Sequence, residues 1–131
     1  MKIFASSIAL ALGLAGFADA AAPKFEAFEV TSREEPKITF QFSASDATAD
    51  SPVVITVPGR ALTKEDRKHR VSLQKHWISL HVPESYEFVS RVLVDCGPRK
   101  DGPIPFCDRY EFQDPATKKR HEFYIYVGNW P

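Results

Sequence analysis

In 131 residues the chain has one asparagine, one methionine, two cysteines and six glycines, and beyond its first 20 residues it has no long apolar run. Each scarcity excludes something. Asn129 is followed by Trp130-Pro131 instead of x-Ser/Thr, so there is no N-glycan acceptor. Ten residues separate Cys96 from Cys107, which is not the Cys-x-x-Cys spacing of a redox motif. The four histidines, His69, His76, His81 and His121, fall at no zinc-ligand spacing with those cysteines. Gly-x-Ser-x-Gly, His-Glu-x-x-His, a phosphate-cradling glycine loop and a calcium loop are all absent. No catalytic residue, metal ligand or cofactor is therefore assigned. Neither sign of charge dominates, with 17 basic and 17 acidic residues, so no nucleic-acid partner is expected.

What is present begins with MKIFASSIALALGLAGFADA, a single Lys2 near the start, an apolar run from Ile8 to Phe17 and a small-residue end at Ala18-Asp19-Ala20. This is the pattern of a secretory signal peptide over residues 1–20, and the run is far short of the roughly 20 residues a bilayer needs. Residues 21–131 are then expected to form a single secreted, extracellular β domain with no membrane anchor, and a monomer is expected. In an oxidising compartment an even pair of cysteines defaults to a disulfide, so Cys96 and Cys107 are expected to be bonded.

The apolar pattern has period two almost throughout. Ile38, Phe40 and Phe42 alternate with polar residues; Val53-Val54-Ile55-Thr56-Val57 is a β-branched run closed by Pro58-Gly59; Val71 and Leu73 alternate, then Ile78, Leu80 and Val82 in a new phase. Phe88 to Val94 reads as a central strand feeding into Cys96. Tyr110–Gln113 and Glu122–Val127 flank an Asp114-Pro115 turn and form the clearest hairpin. Thr63 followed by Asp66 offers a cap for one or two helical turns over a polar stretch. The sum is an all-β antiparallel sandwich or small barrel of about seven or eight short strands with at most one short helix.

Two stretches are candidates for binding. The foremost is the charged tip Arg99-Lys100-Asp101, held between the cysteines by three prolines; the second is Lys118-Lys119-Arg120 at the hairpin tip. Arg67-Lys68-His69-Arg70 is a further basic cluster. A small ribonuclease-like enzyme is the alternative from another class, with Glu87 or Glu111 as base and Arg91, Arg120 and His121 nearby in sequence. A carbohydrate-binding or wall-associated module is the third, with Trp77, Trp130, Tyr124 and Tyr126 as its contact face.

The short Ala/Leu-rich leader, Ala21-Ala22-Pro23 at the mature start, the compact β domain and the single cysteine pair together resemble the small secreted proteins of filamentous fungi. Many of these act as effectors or elicitors on a plant host. The resemblance implies a non-enzymatic virulence factor that binds a host protein and modulates immunity, either outside host cells or after passage into them.

Overall fold

The computed structural model describes residues 22–97 and 105–131. The expected leader and the tip Arg99-Lys100-Asp101 lie outside them. Six strands form two three-stranded antiparallel sheets: β1 (Phe28–Thr31), β2 (Thr39–Phe42) and β3 (Ile55–Thr56) in one, β4 (Glu87–Asp95), β5 (Phe106–Gln113) and β6 (Arg120–Tyr126) in the other. Between β3 and β4 run a 3-10 turn (Glu65–His69) and an α-helix, α1 (Arg70–His81). The protein is therefore mostly β with one short helix.

Strand β2 follows its alternation: Phe40 and Phe42 are buried while Thr39 and Gln41 are half-buried. It pairs Phe42 with Phe28 and Phe40 with Val30 of β1, and the Phe28 and Phe42 rings stack at 4.5 Å. The apolar run at residues 53–57 does more than form β3. Val53 donates its N–H to the Tyr124 carbonyl at 3.0 Å and accepts from the Tyr126 N–H at 2.7 Å, which couples it to β6. Val54, one residue on, exchanges bonds with Ser43 just past β2: the Ser43 N–H to the Val54 carbonyl, and the Val54 N–H to Ser43 Oγ. Adjacent residues of an extended chain turn their backbone groups to opposite sides. This one segment thus closes the edge of β6 and continues from β2.

The alternation seen at residues 71–73 and 77–82 does not form strands. Both fall in α1, which brings the expected count of strands down to six. The residues on the inner side of the helix are Arg70, Leu73, Gln74, Trp77, Ile78 and His81, all buried or half-buried, at the three- and four-residue spacing of one helical face. Three of these six are polar, so the stripe has little apolar contrast, while exposed Leu80 completes a false period of two with Ile78 and Val82. Tertiary burial of Trp77 decides the outcome. Its ring is fully buried, 5.0 Å from Phe25, 4.4 Å from His81 and 6.0 Å from Phe123 of β6. Leu73 and Trp77 join Phe40, Phe42, Ile55, Phe112, Phe123 and Ile125 in one core that draws on both sheets.

Cys96 and Cys107 are bonded, tying the end of β4 to the start of β5. Gly97 beside them has φ +51°, and a Cβ there would lie 2.7 Å from the Ala49 carbonyl oxygen. Only glycine both adopts that conformation without strain and leaves room for the 46–51 loop.

The 3-10 turn is anchored by Asp66, 1% exposed. Its carboxylate accepts from the Thr63 N–H at 2.7 Å and from the Thr63 hydroxyl at 3.1 Å, and Arg60 donates to both of its oxygens at 2.7 and 3.1 Å. The pairing of Thr63 with Asp66 expected from sequence is present, with the carboxylate accepting from the Thr63 N–H, while the Thr63 hydroxyl donates to that carboxylate and the Asp66 N–H bonds to the Thr63 carbonyl. The hydrogen bonds from Arg60 outweigh burial and hold the Asp66 carboxyl down at about 2, against 3.8 ordinarily. A lowered folded-state value means that the unfolded chain takes up the proton first, so the stabilisation is complete above about pH 4 and is lost as pH falls through about 2. In urea titrations the midpoint should fall between pH 5 and pH 2.5 more steeply for the wild type than for Asp66→Asn. Equal slopes would remove Asp66 from the acid response.

Candidate functional site

The cysteines chosen from sequence meet, but the other candidates are dispersed. Lys118, Lys119 and Arg120 are exposed at the β5–β6 turn, where Lys118 has φ +66°. Arg120 is engaged there: its guanidinium lies 3.0 Å from Glu111 Oε2, and that bond is the main reason the Glu111 carboxyl is held below its usual range. Glu111 and His121 point to opposite faces of the sheet, because His121 sits opposite Phe112, the residue next to Glu111. His121 stacks instead on Tyr86 at 4.9 Å. Arg91 sits opposite Tyr110 and likewise faces away from Glu111. Of the ribonuclease-like set, Glu111 and Arg120 meet, whereas His121 and Arg91 lie on the other face of the sheet from Glu111, and Glu87 sits opposite Gln113 at the far end of β4.

Trp77 and Trp130 are 0% and 8% exposed, so the expected aromatic contact face has no surface tryptophan. Lys68 and His69 line a cleft with Arg33 and His76, between β1 and α1. Among the described residues, no three His, Cys, Asp or Glu side chains are grouped to hold a metal ion, and no helix is long and apolar enough to cross a membrane.

The arrangement most able to bind something lies where the sequence reading saw only core. Helix α1 is seated over β5 and β6. From it, Gln74 Nε2 donates to Asp108 Oδ2 at 2.8 Å, and the Tyr110 hydroxyl donates to Gln74 Oε1 at 2.6 Å, all three residues being buried. Burial raises the Tyr110 pKa, which keeps the hydroxyl a donor. Trp77 reaches β6 through Phe123. Nothing in the helix covers β4.

Among the described residues strand β4 is an edge, not the central strand expected from its apolar content, since of these only β5 pairs with it. Phe88, Arg91 and Leu93 sit opposite Phe112, Tyr110 and Asp108 and so share the helix side of the sheet. Phe88 is 60% and Leu93 58% exposed. The result is a trough of about 620 Å³, floored by Phe88, Arg91, Tyr110 and Phe112 and walled on one side by Lys75, Ile78 and Ser79 of α1. Phe88 meets Phe112 edge-to-face at 5.7 Å. Neither Lys75 nor Arg91 forms an ion pair with a described carboxylate, and the Arg91 guanidinium lies against the Tyr110 hydroxyl.

Lys75, Ile78 and Ser79 escape a period-two reading because the residues around them are taken for strands. The Leu73, Gln74, Trp77, Ile78 and His81 spacing carries the helical signal. The Gln74 network fixes the wall of the trough, so Tyr110→Phe, which leaves the buried Gln74 oxygen unpaired, should cost about 1–2 kcal/mol in urea unfolding. An unchanged midpoint would show that the wall is held by apolar contacts alone.

Comparison with protein-family models, curated proteins and solved structures finds no match to this chain.

Proposed function

We propose that the protein is a secreted, non-enzymatic binding protein of the effector type, which engages a host protein by taking an extended apolar segment of it, with an acidic flank, into the trough between α1 and β4. The observation that carries this reading is a mostly apolar trough floored by the exposed Phe88, with the exposed Leu93 on the same face of β4 beside it. A monomeric protein without a partner rarely leaves such a patch uncovered. The trough has one wall and an open flank, a shape suited to a polypeptide segment, whereas small ligands are mostly enclosed. Lys75 and Arg91 at the rim favour a carboxylate beside the apolar side chains. The Cys96–Cys107 bond and the leader-like first 20 residues are consistent with secretion.

Selection of peptides from a random display library against the wild type, followed by fluorescence anisotropy with the selected peptides, tests the reading. Phe88→Ser and Lys75→Glu should each weaken binding about tenfold or more, since a buried aromatic contact or a desolvated charge pair is worth at least that. Lys119→Glu at the hairpin tip, and a variant with Arg99, Lys100 and Asp101 all changed to alanine, should bind as the wild type does. Loss of binding in the triple variant with retention in Phe88→Ser would move the site to the loop and overturn the reading.

A further inference from the structure

The free edge of β4 has a definite set of unpaired backbone groups. The Cys96 N–H bonds to the Pro105 carbonyl across the β4–β5 ladder, and the Val127 N–H bonds to the Phe106 carbonyl across the next. Hydrogen bonding alternates along an antiparallel pair. Val92 and Val94 therefore turn their N–H and C=O toward β5, while Arg91, Leu93 and Asp95 turn theirs away from it. All three of these are exposed. The register shift between Phe88 and Ser90 ends the regular edge on the other side.

This edge is complementary to itself in one register. With Leu93 opposite Leu93 of a second copy on a two-fold axis, Arg91 lies opposite Asp95 of that copy and Asp95 opposite its Arg91. All three pairs then join residues whose backbone groups face outward, giving about six ladder bonds. On the opposite face of the sheet Val92 meets Val94, both apolar, with Val92 42% exposed. Full overlap centred on Arg91 would instead set Arg91 on Arg91 and Glu87 on Asp95, which like-charge repulsion disfavours.

We infer that β4 pairs antiparallel with β4 of a second copy about Leu93, making one continuous sheet whose two α1 helices flank a single cleft. This departs from the monomer expected from sequence, and it rests on the reading of the trough as the binding site, because the second copy supplies the missing wall. Two-fold pairing of this kind keeps both helices on the same face. Each α1 contacts β5 and β6 of its own sheet, so the two helices stand on opposite sides of the seam and face each other across the cleft. Arg91 is taken up at the seam, and Lys75 of each copy remains as the cationic rim. The exposed edge and the exposed Leu93 are covered by one event, which also removes the hazard of an open apolar strand, while Phe88 stays open to the cleft.

Sedimentation velocity across a wide concentration range, with the peptide-binding assay run in parallel, tests this. The wild type should show a reversible dimer. Arg91→Asp and Asp95→Arg should each raise the dimer dissociation constant about tenfold or more, because each turns two attractive pairs repulsive. Mixing the two variants should restore a dimer, now a heterodimer with all pairs attractive, and the double variant should dimerise with itself. Leu93→Glu, at a site already exposed, is the control for effects on folding and should be monomeric with an unchanged circular dichroism spectrum. Peptide affinity should fall in each monomeric variant and return in the mixture. A wild type that stays monomeric at all concentrations, or charge variants that do not rescue each other, overturns the pairing even where Phe88→Ser still abolishes peptide binding. A wild-type dimer with rescue, but with peptide binding indifferent to Phe88→Ser, retains the pairing and overturns the trough as the binding site.

Discussion

Val53 and Val54 are neighbours in the chain whose backbone groups bond in opposite directions, one to β6 and the other to the end of β2. That constraint orders the rest of the molecule. It closes the outer side of β6, leaves β5 inside the second sheet, and makes β4 the strand of that sheet with no described strand on its far side. Asn129 reinforces the seam from the C-terminal end by donating its Nδ2 to the Ile55 carbonyl at 2.8 Å. With both sheets tied at residues 53–56, their inner faces share one core, and Trp77 has a single place to be buried, against Phe25 and Phe123. Seating Trp77 there puts α1 over β5 and β6, and β4 is left beyond its reach. The open trough is thus a consequence of where the seam lies.

The strands that carry a strict alternation or a β-branched run were legible: β2 from Ile38, Phe40 and Phe42, β3 from residues 53–57, and the β5–β6 hairpin from its Asp-Pro turn. The disulfide followed from compartment and count. The helix did not, for a physical reason. Gln74 is fully buried because Tyr110 and Asp108 satisfy its amide, and Arg70 and His81 occupy the same inner face. A helical face half made of polar residues is visible only when their partners, some 34 and 36 residues further on, are known. Apolar content misleads in the same way at β4, where five apolar residues in the nine of Glu87–Asp95 imply a buried strand, whereas Phe88, Val89, Val92 and Leu93 are exposed.

The site was less legible than the fold. Loop position and charge drew attention to Arg99-Lys100-Asp101, outside the described residues, and to Lys118–Arg120, where Arg120 is already engaged with Glu111. The trough instead joins a helix that was not foreseen to a strand whose exposure was not foreseen, so no local pattern could combine Lys75, Ile78, Phe88 and Tyr110. The tryptophans show the converse. As residue types they mark contact surfaces, and here both are spent on packing, Trp130 lying near Phe40 and Trp77 at the centre of the core. What the chain leaves uncovered, Phe88 and Leu93, tells more about function than what it is rich in.

The account rests on β6 being closed and β4 open, and amide hydrogen exchange resolved by residue, on protein dilute enough to be monomeric, measures both at once. The amides of Val53, Tyr124 and Tyr126 should exchange as slowly as the core, and those of Val92 and Val94 should be protected by β5, while Arg91, Leu93 and Asp95 between and beside them exchange fast. Fast exchange at Val53 and Tyr126, or protection of Leu93 equal to that of Val94, would contradict it.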